Sequence, residues 1–188
     1  MRKFRTSSWR SVDPVGLGAA TAPARQRAPF TVLGLDPGSR RTGYGVLRVD
    51  ARRTQYVTHG CIVPRADDLA QRLREIHDSL SEIARSIAPD EIAIERVFMS
   101  RNADSALKLG QARGAALCAV GPAPVFEYAP RAVKLAVVGT GAAAKGQVQH
   151  MVAALLGLRQ AVGSDESDAL AIALCHANTR AFERTCRA

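Results

Sequence analysis

The chain has 188 residues, which suits one domain with short terminal segments. Its apolar fraction of 47% excludes wholesale disorder. Its longest apolar run is far short of the roughly 20 residues that a membrane span needs, so we expect no membrane contact. The formal charge of +9 is uneven, with +5 on residues 1–30, +2 on 177–188 and only +2 on 31–176. Net charge alone is therefore weak support for a nucleic-acid-binding surface in the central region.

Order is predicted to begin at Phe30. Residues 1–29 contain Arg, Ser, Ala, Gly and Pro without a helical or strand period, and we interpret them as a flexible basic extension. The extension lacks the apolar core of a secretory signal, although its composition resembles a transit peptide. The cysteines are scattered and form no C-x-x-C motif, which argues against zinc or a disulfide scaffold. Free thiols are typical of a reducing cytosol, so we expect a cytoplasmic protein.

Strands and helices alternate in a definite order after this extension. Apolar side chains from Leu69 to Ile87 recur at steps of three and four before Pro89, which predicts an amphipathic helix. Strands are predicted at 30–35, 42–49, 55–63, 91–97 and 124–128, and helices at about 66–88, 102–120, 130–137, 143–156 and 165–179. The predicted domain therefore covers residues 30–179, and residues 180–188 form a short basic tail.

This order, βββαβαβααα, predicts an α/β fold. Three consecutive strands suit an antiparallel meander, whereas strands that alternate with helices suit parallel crossovers. The result is a mixed five-stranded sheet flanked by helices, which is the arrangement of a ribonuclease H-like domain.

Four carboxylates draw attention because of where the predicted elements place them. Asp36 follows the first strand, Glu95 ends the strand EIAIE, and Asp165 and Asp168 are spaced i,i+3 at the start of the last helix. Three have ordinary explanations by themselves: Asp-Pro-Gly is a turn sequence, a strand end is solvated, and an acid such as Asp165 favours a helix N-terminus. The last explanation suits Asp168 less well, because it shares the apolar stripe of Ile172 and Cys175. If the first and fourth strands are neighbours, Asp36 and Glu95 lie side by side at the carboxyl end of the sheet, and a last helix packed across that end adds Asp165 and Asp168.

Four carboxylates in one place cannot all stay ionised without cations, because like charges raise one another's pKa. Hard oxygen ligands suit Mg²⁺ or Mn²⁺ rather than zinc. Two such ions about 3.5–4 Å apart activate water and stabilise the leaving oxygen of a phosphodiester. The carboxylates therefore indicate a metal-dependent site for phosphodiester hydrolysis.

Five blocks of the sequence resemble one known family in order. They are GLDPGSRRTGYGV (34–46), IAIERVFMSRNADSALKLGQARG (92–114), PVFEYAPRAVK (124–134), VVGTGAAAKGQVQHM (137–151) and SDESDALAIA (164–173). Over roughly residues 30–176 the chain resembles the RuvC family of Holliday junction resolvases. The resemblance implies that a homodimer nicks four-way DNA junctions, prefers a short T-rich sequence and cooperates with a branch-migration motor of the RuvA and RuvB type. It also implies that Asp36, Glu95, Asp165 and Asp168 bind two Mg²⁺ or Mn²⁺ ions and catalyse the cleavage.

The same resemblance implies a set of DNA-binding residues. Phe98 matches an aromatic side chain near the junction centre, where stacking on a base is worth about 1–3 kcal/mol, although a single Phe is more commonly a core residue. Lys134 and Lys145 match basic residues near the scissile phosphate. Arg101 extends this basic rim, with Lys108, Arg113 and Arg131 as further candidates. For each basic residue, ordinary surface charge remains the alternative interpretation.

Three other functions are compatible with parts of the sequence. A RuvC-like nuclease of the YqgF group would share the fold and process structured RNA instead. An actin-like ATPase has a similar first strand and turn but needs two related domains, for which 188 residues are too few. A non-catalytic nucleic-acid-binding protein is the third alternative, but such a protein gains nothing from carboxylates that face phosphates.

Overall fold

The computed structural model describes residues 28–96 and 102–186, and its elements follow the predicted order. The strands are β1 (Phe30–Asp36), β2 (Thr42–Val49), β3 (Thr54–Ile62), β4 (Glu91–Glu95) and β5 (Val125–Tyr128). The helices are α1 (Leu69–Ile87), α2 (Ala103–Ala119), α3 (Pro130–Val138), α4 (Lys145–Leu156) and α5 (Ser164–Cys186). Of the helices in these two ranges, none is both long enough and apolar enough to cross a membrane.

The five strands form one mixed sheet in the order β3-β2-β1-β4-β5. Strand β2 pairs antiparallel with β1 and with β3, as a meander does. Strand β4 is parallel to both of its neighbours, β1 and β5. The first and fourth strands are therefore adjacent and run in the same direction, which is the condition on which the predicted carboxylate site depends.

Each face of the sheet is covered by its own apolar layer. Ile92 and Ile94 of β4 pack with buried residues of α1 and α2, including Ala116. The alternate residue Ala93 packs on the opposite face, in a cluster with buried residues of α3, α4 and α5 such as Leu170. This alternation follows from the two-residue repeat of a strand and directs the odd-numbered residues of β4 towards α5.

Helix α1 shows how closely sequence signals set the boundaries. It begins after Asp68, whose side chain accepts a hydrogen bond from the backbone N–H of Gln71 at 2.9 Å. It ends at Ala88, which adopts a left-handed conformation with φ of 48° directly before Pro89. Both caps lie within three residues of the predicted ends.

The predicted end of the last helix at residue 179 is wrong. Helix α5 continues to Cys186, so the residues interpreted as the start of a basic tail are helical. The physical reason is that Arg180 binds Glu91 of β4 and, one turn along its own helix, Glu183. A charged turn that looks solvated in the sequence is thus tied to the sheet.

Candidate active site

Asp36 and Glu95 are the last residues of β1 and β4. The parallel pairing of these strands matches Leu35 with Ile94, so the two carboxylates follow one paired position at the same edge of the sheet. Parallel neighbours present their carboxyl ends together, which is a common location for functional side chains. The sheet therefore brings together two of the predicted site residues from positions 59 apart in the sequence.

Glycines let helix α5 approach the backbone of the sheet. A Cβ on Gly34 would lie 2.2 Å from the carbonyl oxygen of Ala169, and one on Gly43 would lie 2.0 Å from that of Asp165. Any side chain at either position would push α5 away. The two glycines, together with Gly45 against Leu170, thus seat the first turns of α5 on β1 and β2. This contact carries Asp165 and Asp168 to the edge where β1 and β4 end.

Asp36 is the most strongly perturbed carboxyl group of the site. Burial, together with the charges of Asp168, Glu95 and Asp165, raises the pKa of Asp36 to about 7. Burial and the charge of Asp168 also raise the pKa of Glu95. These shifts mean that the carboxylates lie close enough to repel one another and too far from bulk water to be screened. The site holds more negative charge than its own surroundings neutralise.

Three basic side chains reduce this excess without removing it. The ammonium of Lys145 lies 2.7 Å from a carboxylate oxygen of Asp168, and Arg41 forms an ion pair with Asp165. Lys134 acts on Glu95, where its charge opposes the rise in pKa. The predicted lysines are thus located beside the acidic cluster. Arg41 is an addition that the sequence alone did not single out.

The tightest group of potential ligands differs from the predicted set. Within residues 28–96 and 102–186, Cys61, Asp165 and Glu166 are the three whose ligand atoms all lie within 4.8 Å of one another. Cys61 reaches this place because β3 pairs it with Gly43, and its sulfur lies 3.9 Å from Asp165. A lone cysteine about a hundred positions away gave no sequence signal for this proximity. Asp165 therefore contacts both Cys61 and Arg41.

The four predicted carboxylates supply ligands of the type that a hard divalent cation takes, although no three of them have oxygens within 4.8 Å of one another. The carboxylates lie at one edge, and both ion pairs there join one carboxylate to one exposed basic side chain. Burial first, and then the charges of Asp168, Glu95 and Asp165, raise the pKa of Asp36 to about 7 in spite of these pairs. Carboxylate oxygens are the ligands that Mg²⁺ and Mn²⁺ prefer.

Two predicted DNA-binding residues, Phe98 and Arg101, lie outside the described residues, and their roles stay predictions. Arg113, a further candidate for the basic rim, points elsewhere. Its guanidinium binds the backbone carbonyl of Glu95 at 2.7 Å and also the carboxylate of Glu127. It is therefore engaged inside the protein and does not belong to an open rim.

Sequence reasoning missed a second charged cluster, at the opposite end of β4. The ring of His176 is fully buried, with Nε2 2.5 Å from Glu91 and Nδ1 2.7 Å from the hydroxyl of Tyr128. Arg180 adds two contacts to the same glutamate. The sequence gives one indication of this cluster: in the strand EIAIE, alternation places Glu91 on the same face as Glu95, which is the face covered by α5. The histidine gives none, because a single histidine within a helix has no motif of its own.

Comparison with known proteins identifies the family of the chain. A family model described as "Crossover junction endodeoxyribonuclease RuvC" matches residues 32–176. The chain belongs to this family. Proteins named crossover junction endodeoxyribonuclease RuvC from Aeromonas hydrophila and Shewanella pealeana are 56% and 57% identical over 151 and 150 residues. Each match covers 79% of this chain and 87% of the relative.

Solved structures lead to the same family. Thermus thermophilus RuvC aligns with a TM-score of 0.73 at 35% identity, over 82% of this chain and 97% of that one. T. thermophilus RuvC in complex with a Holliday junction substrate aligns over the same shares, with a TM-score of 0.75 and 35% identity. The yeast mitochondrial Holliday junction resolvase, at 11% identity and a TM-score of 0.57, supports the fold alone. The predicted family, fold class and nuclease activity are confirmed, and none of these matches favours the RNA-processing or non-catalytic alternatives.

Proposed function

We propose that this endodeoxyribonuclease resolves four-way DNA junctions by paired, metal-dependent nicks during recombination and repair. The observation that carries the proposal is the uncompensated acidic cluster of a RuvC family member, centred on Asp36, with Lys134 and Lys145 at its border. A related protein, T. thermophilus RuvC, is known in complex with a Holliday junction substrate. The same ligand class is therefore the first substrate to test.

Asp36, Glu95, Asp165 and Asp168 are proposed to hold the metal and so to be the catalytic residues. When bound, Mg²⁺ or Mn²⁺ supplies Lewis-acid chemistry for phosphodiester hydrolysis, and four carboxylates suffice for two ions. The ion pairs of Arg41 with Asp165 and of Lys145 with Asp168 are exposed and weak enough to be exchanged. Once released, Lys145 has a free ammonium at the edge where a phosphate would lie.

Lys134 and Lys145 are proposed to bind the DNA backbone next to the cleaved bond. Their placement beside acidic groups is useful because a lysine draws the phosphate towards a site whose own charge repels it. Phe98 and Arg101 are proposed to act at the junction centre. We also propose that the enzyme works as a homodimer in the cytoplasm, so that two sites nick opposing strands, and that a branch-migration motor of the RuvA and RuvB type supplies its substrate.

The decisive experiment compares three labelled substrates: a mobile four-way DNA junction, a linear duplex of the same sequence and a structured RNA. We expect symmetric nicks in the junction with Mg²⁺ or Mn²⁺, no reaction in EDTA and no cleavage of the duplex. Preferential cleavage of RNA would support the YqgF-type alternative and contradict the proposal.

Asp36→Asn separates binding from chemistry. The substitution preserves shape and removes one negative charge, so junction binding should be retained while nicking is lost. Junction binding is measured by gel shift in EDTA, and nicking by single-turnover cleavage in Mg²⁺. Full cleavage by Asp36→Asn would show that the acidic cluster is not the catalytic site.

A further inference from the structure

Arg113 of helix α2 is largely buried although it carries a charge, and its side chain is 13% exposed. Nη1 donates to the backbone carbonyl oxygen of Glu95 at 2.7 Å, and Nη2 binds the carboxylate of Glu127 on β5. One guanidinium thus ties α2 to the last residue of β4 and to the adjacent strand.

The contact falls where the sheet stops holding β4. Pairing between β1 and β4 ends at Leu35 and Ile94, one residue before Glu95. On the other side, Glu95 is still paired with Tyr128, and the N–H of Arg96 donates to the Tyr128 carbonyl at 2.8 Å. Arg113 therefore binds the backbone of Glu95 at a position where β4 is no longer paired with β1.

Arg113 approaches Glu95 from the side of the sheet opposite to the acidic cluster. Ile94 and Ala116 of α2 belong to one apolar layer, and Ala93 belongs to the layer of α5. Because side chains alternate along a strand, the Glu95 carboxylate lies on the same face as Ala93. Arg113 therefore does not neutralise the carboxylate; it holds the backbone from which the carboxylate projects.

We propose that Arg113 is a positioning residue for the nuclease reaction, which fixes the end of β4 so that the Glu95 carboxylate stays in reach of a metal ion. The inference rests on the proposed function. A planar guanidinium donates to two acceptors at fixed angles, which the single ammonium of a lysine does not reproduce. Mutation of a residue that hydrogen-bonds to a metal-binding residue typically lowers metal affinity or activity by 10–100-fold.

The test uses the full chain and three variants, Arg113→Ala, Arg113→Lys and Glu127→Gln, with Arg85→Ala as the control. Arg85 is an exposed arginine that also donates to a backbone carbonyl, that of Ser81, but within helix α1. Each protein is titrated with Mn²⁺ alone and followed by its melting temperature, which reports metal binding without any substrate. Junction affinity in EDTA and single-turnover cleavage are measured separately.

We expect Arg113→Ala to raise the Mn²⁺ concentration at half-effect by about 10–100-fold and to lower cleavage similarly at subsaturating metal, with unchanged junction affinity. Excess Mn²⁺ should restore cleavage, and Arg113→Lys should lie between. Glu127→Gln keeps an acceptor and should stay close to wild type, as should Arg85→Ala.

Several outcomes would overturn the proposal. An unchanged Mn²⁺ midpoint in Arg113→Ala does so, and so does weaker junction affinity at normal metal binding, which would make Arg113 a DNA-binding residue. A Glu127→Gln variant as impaired as Arg113→Ala would assign the effect to the ion pair instead. If Arg113→Ala does not fold, the midpoint of Arg113→Lys decides. A chain that binds Mn²⁺ as expected but never cleaves a junction contradicts the proposed function and leaves the metal test of Arg113 standing.

Discussion

Glu91 and Glu95 belong to one five-residue strand, lie on the same face of it and point towards the same helix, α5. Their surroundings have opposite electrostatic effects. Although burial acts to raise it, hydrogen bonds from Arg180 and His176 lower the pKa of Glu91. Burial and Asp168 raise the pKa of Glu95, and the nearby lysines only partly oppose them. A distance of four residues therefore separates a compensated carboxylate from an uncompensated one.

The difference distinguishes a structural charge from a functional one. Glu91 meets cations supplied by the fold itself, so it anchors the far part of α5 to the sheet. Glu95 meets other acids, which is an arrangement that costs stability unless a ligand brings positive charge. A similar contrast applies along α5. Asp165 and Asp168 lie near Asp36 at the acidic edge, whereas His176 and Arg180 bind Glu91 at the other end of β4.

The largest expected effect is on cleavage, and the matched variants are Glu95→Gln and Glu91→Gln. Glu95→Gln should reduce single-turnover junction cleavage by more than about 100-fold, beyond the range for groups one step outside a metal ligand. Glu91→Gln should keep its metal response but lose about 3 kcal/mol of stability, because His176 and Arg180 lose a largely buried charge partner. Urea unfolding and cleavage assays on both variants check this. The contrast fails if Glu91→Gln is the inactive variant and Glu95→Gln the unstable one.

The second prediction concerns pH dependence of the metal-free chain. A folded pKa of about 7 for Asp36 lies above its unfolded value of 3.8, so this group favours the folded state in acid. That contribution is lost as pH rises through about 7. At 1.36 kcal/mol per pKa unit, the difference between 3.8 and about 7 amounts to about 4 kcal/mol. Asp36→Asn should therefore gain stability relative to wild type as pH increases from 4 to 7 in EDTA.

The stability that Glu91 contributes should change with pH in the direction opposite to that of Asp36. Glu91 has a lowered pKa, so its contribution is present above its unfolded value of 4.5 and lost as pH falls through the folded value. The cost of Glu91→Gln should thus be larger at pH 7 than at pH 4. Unfolding free energies measured in EDTA across this range test both signs. Parallel curves for the two variants would mean that the two ends of β4 do not differ electrostatically.

Much of this fold was predictable because the signals are local. The turn after β1, the amphipathic period of α1 and the alternation of strands with helices around β4 predicted that Asp36 and Glu95 meet at one edge if β1 and β4 are neighbours, and the strand order meets that condition. The partners that set the charge balance were not predictable in this way. The sequence did not single out Arg41 or His176 for these roles, and each reaches its partner through a contact between residues far apart in the chain. Residues that neutralise a carboxylate from a distant part of the chain can thus be recognised only once the strand pairing is known.

A smaller effect is expected from the glycines that seat α5. Gly34→Ala places a Cβ 2.2 Å from the Ala169 backbone, so α5 must shift, and we expect a loss of about 1–3 kcal/mol with weaker cleavage. Gly110→Ala is the matched control, because a Cβ there meets nothing within 4 Å. It should stabilise α2 by up to about 1 kcal/mol. A harmless Gly34→Ala would show that the helix does not need this close approach to bring Asp165 and Asp168 into place.

The smallest effect on stability is expected at Lys145, whose side chain is 59% exposed in its pair with Asp168. Because exposed pairs contribute about 0–1 kcal/mol, Lys145→Ala should barely change the unfolding free energy. Its effect should appear in DNA binding, where removing one phosphate-binding lysine reduces the slope of log K against log salt by about 0.9. Arg53→Ala, which breaks an exposed pair with Asp50, is the control and should leave this slope unchanged. Junction affinity is measured in EDTA over a series of salt concentrations. An unaltered slope for Lys145→Ala would mean that this lysine serves only to neutralise Asp168. Its role would then be structural, like that of His176 and Arg180, which neutralise Glu91.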